Sequence, residues 1–155
     1  MMFSHNKGQR QIYPLSELHN PYHFREKQRI LESGGKINRF SNKNGNPIGP
    51  ERVYLTEYNL PGLAMTRSLG DKLAHKVGVI DIPDIKELNF KEMNNIIIGS
   101  DGLWEHLHPT FILKNLKAYN KGLEHNCKSL VNCASNCWKL KDKMVDDITI
   151  VAYAS

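Results

Sequence analysis

Three aspartates stand where apolar runs meet polar ones. Asp101 follows Ile96-Ile97-Ile98-Gly99-Ser100, and Asp146-Asp147 precedes Ile148-Thr149-Ile150-Val151-Ala152-Tyr153. A carboxylate fixed at a strand end is well placed to hold a metal or take part in catalysis, because strands are rigid supports. Hard divalent cations take oxygen ligands of this kind. A carboxylate pair beside a buried strand is costly unless something compensates it. A cation is one compensation, and a polar strand start open to water is the other. The residues alone leave both readings open.

The elements that position these acids can be read from the pattern. Three β-branched residues at 96–98 predict a buried strand, running into Gly-Ser-Asp-Gly as a sharp turn. Residues 148–153 predict a closing strand. Between them lie two helical segments. Pro109 suits a first turn, with Phe111, Ile112, Leu116 and Tyr119 on an apolar face. After Gly122, Leu123, Cys127, Leu130, Val131, Ala134 and Trp138 recur at helical spacing. Residues 139–147 read as charged loop. Upstream, 1–10 is polar and predicts a disordered tail, 11–15 a short strand, and 24–33 a helix stopped by Gly34-Gly35. Residues 36–40 predict a strand, 41–50 an exposed loop or flap rich in Asn, Gly and Pro, and 53–55 a short strand. Short strands are also expected at 79–82 and 85–88, with a hairpin-type turn at Asn94-Asn95. Strands followed by helices and a closing strand predict an α+β fold.

The chain has 155 residues, 40% of them hydrophobic, enough for one domain with its own core. It holds no apolar run of about 18 residues, so no membrane span is expected, and its start lacks a signal-peptide core. Three cysteines in no disulfide pattern, Cys127, Cys133 and Cys137, fit reduced thiols in the cytoplasm or nucleus. Cys133, Cys137 and His125 fall short of a closed zinc set, and helix packing is their simpler role. The net charge of +5, concentrated before residue 45, attracts acidic groups such as phosphate. The basic residues are not interleaved with aromatics as single-stranded nucleic acid requires, so no nucleic-acid partner is expected.

Several segments in order resemble the metal-dependent serine/threonine protein phosphatases of type 2C. They are Glu26 to Gly35; Leu63-Ala64-Met65-Thr66-Arg67-Ser68-Leu69-Gly70-Asp71; Val79-Ile80 with Ile82-Pro83-Asp84-Ile85; Ile98-Gly99-Ser100-Asp101-Gly102-Leu103-Trp104-Glu105; and Asp146-Asp147-Ile148-Thr149-Ile150-Val151. The resemblance implies part of a sandwich of two antiparallel β-sheets flanked by helices. It also implies two magnesium or manganese ions and a metal-activated water that hydrolyses phosphoserine or phosphothreonine. Asp101 and Asp146 match two ligands of one metal. Asp147 stands where the family usually has Asn, and Glu105 where it usually has Asp; both are expected to act on the metal from outside its ligand shell. Arg67 is expected to pair with acids in the core, and Trp104 to anchor the turn at Asp101.

The family's Asp-Gly-His-Gly-Gly segment, whose Asp bridges both metals, does not occur in this sequence, nor does its phosphate-binding Arg. Leu18 stands where an Asp implicated in a third metal site is usual. The match begins near Ile12, so 11–155 reads as the C-terminal portion of such a domain. The expected cofactor is at most one partly liganded Mg2+ or Mn2+, and no catalytic side chain is assigned. Expected partners are a phosphorylated protein and the missing N-terminal half, with no membrane. The alternative is a catalytically dead phosphatase-like binding or regulatory module.

Overall fold

In the computed structural model, residues 2–6, 12–87, 89, 93–118, 122–142 and 144–154 are described. The chain divides into two units, one formed by Met1–Glu17 with Lys86–Ser155 and the other by Leu18–Ile85.

In the first unit, strand β6 (Met93–Gly99) runs between β1 (Met2–Asn6) and β7 (Ile150–Ala154), and β2 (Ile12–Pro14) completes an antiparallel sheet of order β2-β1-β6-β7. β1 lies inside the stretch expected to be a polar tail. It is held on both sides, Met2 opposite Ile98 and Phe3 opposite Pro14. Its β6 partners lie far off in sequence, so nothing local in Ser4-His5-Asn6 announces a strand. Asn95, expected in a turn, is likewise inside β6, paired with His5 on one side and Ala154 on the other. Sheet pairing overrides the turn preference of asparagine here.

Ile97 points to the helical side of this sheet. It is buried with Leu103, Leu107, Ile112, Leu130 and Ala134, drawn largely from helices α3 (Asp101–Trp104), α4 (Pro109–Ala118) and α5 (Leu123–Lys141). Asp101 therefore starts a helical turn directly after the strand rather than sitting in a loop. Four residues are far too few for a helix to stand alone. Burial of Leu103, fully shielded from solvent, contributes roughly 1.5–3 kcal/mol and pins that turn. α5 runs three residues past Trp138, so the charged loop expected at 139–147 begins only after Lys141.

The second unit is built on helix α1 (Phe24–Glu32) and a sheet of order β3-β4-β5, with β3 (Gly35–Ser41), β4 (Pro47–Leu55) and β5 (Pro61–Leu63) antiparallel. α1 stops as expected: Gly34 takes a φ of 78° and donates its N–H to the Leu31 carbonyl at 3.1 Å. The flap expected at 41–50 is half strand, with Ser41 in β3 and residues 47–50 in β4. Only residues 42–46 turn, with the Asn42 side-chain oxygen accepting the N–H groups of Asn44 and Asn46 at 3.0 and 2.9 Å. Ile30, Val53, Val77, Val79 and Ala74 of the short helix α2 (Lys72–His75) form the apolar core. The strands expected at 79–82 and 85–88 do not form in the described residues. Only a single bridge between Arg67 and Ile80 is present, and Leu88 lies outside the described residues.

What holds the irregular stretch 64–85 is a buried carboxylate. Glu26, 1% exposed, receives Arg29 at 2.6 Å, Arg67 at 2.7 Å and the Thr66 hydroxyl at 2.6 Å. Arg29 also donates to the carbonyls of Gly78 and Thr66, at 2.8 and 2.9 Å. Arg67 donates to the Ile82 carbonyl at 2.8 Å and pairs with Asp84 at 2.7 Å, and His19 lies 2.8 Å from the other Asp84 oxygen. Burial alone would raise the Glu26 pKa. The donors from Arg29, Arg67 and Thr66 outweigh it and hold the carboxyl well below its ordinary value.

Removing one partner from a buried pair costs about 3–5 kcal/mol. Glu26→Gln should destabilise the chain by about that much in urea unfolding at neutral pH. Because the folded pKa is depressed, Glu26 contributes its full stabilisation above its unfolded pKa of 4.5 and loses it as pH falls below. The gap between wild type and E26Q should therefore narrow in acid. A gap independent of pH would contradict this account.

Candidate metal centre

The segments that carry the three aspartates come together at the start of α3. Ser100 is extended, with φ −69° and ψ 170°, and stands at the N-cap of that helix. Its hydroxyl donates to the Asp147 carbonyl at 3.0 Å and accepts the Thr149 N–H at 3.0 Å. Its own N–H donates to the Thr149 carbonyl at 3.1 Å. One serine thus clasps residues 147–149 against the end of β6.

Two glycines permit the approach. A Cβ on Gly102 would collide with the Asp147 carbonyl, so the two backbones touch directly. A Cβ on Gly99 would meet Leu103 Cδ2 at 2.6 Å and the Trp104 indole nitrogen at 2.9 Å. Neither glycine is needed for an unusual φ; both are needed for the absence of a side chain. Both tryptophans tie down the same corner. Trp104 donates to the Gly99 carbonyl at 2.8 Å, and Trp138 of α5 donates to the Gly102 carbonyl at 2.7 Å.

Asp101, Asp146 and Asp147 are exposed. Asp101 Oδ1 accepts the Gly102 N–H at 3.1 Å, and Asp146 Oδ1 accepts the Asp147 N–H at 2.8 Å. Among the described residues no cation pairs with any of the three. Glu105 is exposed as well; its backbone N–H, donating to the Asp101 carbonyl at 2.9 Å, is what joins it to this corner. Oxygen donors of this type suit a hard divalent cation. However, no group of three or more His, Cys, Asp or Glu among the described residues is gathered to hold one. Among the described residues the donor set is short of the ligands a two-metal centre needs.

Other candidates resolve as packing. Cys133 and Cys137 are free and lie against the helical core, and burial pushes the Cys127 thiol up. Leu18 is 52% exposed and offers no ligand. The central role of Glu26 has no signal of its own in the sequence. Arg67 pairs with a buried acid as expected, but nothing local shows that the acid is Glu26, 41 residues away.

A family profile described as "Protein phosphatase 2C" matches residues 2–135. The chain belongs to the protein phosphatase 2C family. The match includes β1, so it starts earlier than Ile12. Relatives include "Probable protein phosphatase 2C 12" of Oryza sativa subsp. japonica, 31% identical over 147 residues that cover 93% of this chain and 36% of that protein. "Probable protein phosphatase 2C 72" of Arabidopsis thaliana is 32% identical over 65% of this chain and 31% of its own length. The fold agrees with a crystal structure of serine-threonine phosphatase 2C from Toxoplasma gondii, with a TM-score of 0.79 at 18% identity, covering 97% of this chain and 49% of that one. The chain thus spans about a third of these curated relatives and about half of the solved phosphatase 2C chain.

The contact at Gly102 yields a local test. Gly102→Ala must push the 146–147 backbone away or strain α3, a change that typically costs about 1–3 kcal/mol. Because the two tryptophans bracket this corner, G102A should alter tryptophan emission as well as lower the unfolding midpoint. A variant matching wild type in both would refute the direct backbone contact.

Proposed function

We propose that this phosphatase 2C chain supplies one side of a metal-dependent protein serine/threonine phosphatase centre and is catalytically incomplete by itself. The observation that carries this reading is the backbone contact between Gly102 and Asp147, which brings the Asp101 and Asp146 segments together and leaves their carboxylates without a cation partner among the described residues. Asp101 and Asp146 are assigned to one Mg2+ or Mn2+. Asp147 and Glu105 act from outside the ligand shell, through charge and bound water. A bound metal of this class lowers the pKa of water and neutralises phosphoryl charge. The substrate is a phosphorylated protein, and the chain from β1 onward is the C-terminal portion of the domain. A segment carrying Asp-Gly-His-Gly-Gly is the partner that completes the centre. The free thiols support a reducing compartment, cytoplasm or nucleus.

The second reading is a phosphatase-like module that binds or regulates without catalysis. It is favoured by Leu18 and by the lack of a third converging ligand among the described residues.

Manganese titration by calorimetry, wild type against Asp101→Asn, tests the metal assignment. Binding should weaken at least about tenfold in D101N, ~1.4 kcal/mol; equal binding by both proteins sinks it. Phosphate release from a phosphothreonine peptide in manganese should be negligible for the chain alone. It should rise when a relative's Asp-Gly-His-Gly-Gly segment is fused to the amino end. Family-like rates from the unfused chain would overturn the claim of incompleteness. A fused protein that binds manganese yet stays inactive would favour the binding module.

A further inference from the structure

The solvent face of the β3–β4 hairpin carries a basic groove that neither the apolar core nor the candidate metal centre explains. Alternation along β3 sends Ile37 inward toward Val53 and puts Lys36 and Asn38 on the other face, with Tyr54 opposite Lys36 and Arg52 opposite Asn38; past the register shift that follows Asn38, the Phe40 ring lies beside Arg52. Together with Arg39 and Asn59, these β3 residues and Tyr54 line a groove of about 390 Å³. No acidic residue lines it. Glu51, the acid on β4, is engaged by Lys27 at 3.5 Å.

The cations of this face are uncompensated. The Lys36 ammonium sits 5.9 Å from the Tyr54 ring centroid, and the Arg52 guanidinium sits 4.7 Å from that of Phe40. The Arg39 guanidinium sits 5.7 Å from the ring centroid of Tyr22. Ring faces hold a cation in place without neutralising it. Lys36, Arg39 and Arg52 make no ion pair among the described residues. The same arrangement argues against nucleic acid, since the exposed Phe40 ring that a base would stack on is already approached by Arg52 and Tyr54 is buried.

We propose that this groove docks an extended acidic peptide segment of a partner protein. Lys36 and Asn38 project two residues apart along a strand, about 6.6 Å. That is the spacing of successive side chains on one face of an extended peptide. Aspartate or glutamate at alternate positions therefore meets Lys36 and then the Asn38 and Asn59 amides, with Arg39 alongside. The docking uses no metal and no residue of the Asp101 corner.

Fluorescence anisotropy of a labelled peptide alternating Asp and Ser, against the full chain, tests the proposal. The acidic peptide should bind, its Asn-for-Asp counterpart should not, and affinity should fall as salt rises. The double variant K36A/R39A should lose at least about tenfold in affinity, ~1.4 kcal/mol. Lys43→Ala removes the same kind of charge from the hairpin turn, outside the groove lining, and should weaken binding clearly less than K36A/R39A does, because a charge that makes no direct contact is partly screened. Phe40→Ala, which frees Arg52 from its ring, should weaken binding while keeping the salt dependence. No binding by wild type, equal binding by K36A/R39A, or an equal loss in K43A would each overturn the proposal. Tighter binding of a single-stranded RNA than of the acidic peptide would overturn it too. Circular dichroism of each variant confirms that the hairpin still folds.

Discussion

The unit spanning Leu18–Ile85 depends on one buried carboxylate. Between Leu63 and Ile85 the backbone is held by the short α2, the Arg67–Ile80 bridge and one bond from the Thr66 N–H to the His19 carbonyl, too little pairing to fix a path. Glu26 supplies what the backbone lacks. Presented from α1, it gathers Arg29, Arg67 and Thr66, and the two arginines in turn bind carbonyls at Thr66, Gly78 and Ile82. Two guanidiniums on one carboxylate would repel each other if unopposed. Asp84 answers the second of them, and His19 answers Asp84. The network closes on itself, so the charges stabilise a path instead of merely surviving burial.

In the other unit the corresponding constraint is steric. The α3 turn can lie against residues 146–149 because Gly102 has no side chain, and Ser100 converts that proximity into three hydrogen bonds. Gathering acidic segments at one corner carries a repulsive cost that no cation among the described residues offsets. Their exposure keeps the cost small, because water screens like charges at a surface. Exposure also leaves the oxygens available to an ion. Burial would have forced protonation or a protein cation, and either would spoil a metal ligand.

Much of this was legible in the sequence because it is local. The β-branched run at 96–98, the glycine stop after α1 and the helical spacing from Leu123 each carry their own physical signal, and each formed near its expected place. The ordered segments around Arg67, Asp101 and Asp146 named the fold family. What escaped was non-local. β1 is a strand only because β2 and β6 flank it, and Asn95 is extended only because it has a neighbour on each side. Residues 47–50, with their prolines and glycine, resemble loop until β3 is seen beside them. The clasp at Ser100 was equally invisible, since a serine before Asp-Gly reads as one more turn residue. At the metal corner the acids could be picked out one by one, but the backbone contact that brings their segments together could not.

The Glu26 and Asp101 corners treat charge in opposite ways, and the contrast bears on function. Around Glu26 the buried acid is answered by named donors, and local chemistry agrees with the fold. Around Asp101 the acids are gathered by backbone contacts and left unanswered among the described residues. A sequence selected only for stability would put asparagine or lysine at one of these places, at no loss to the Ser100 clasp, which uses the backbone of Asp147 rather than its carboxylate. Sites where every other level of structure is satisfied and one is not are where proteins carry out chemistry at the expense of stability. That the disagreement falls on oxygen donors at a rigid strand end is what supports the proposed cation site, since a hard cation supplies the one thing that corner lacks.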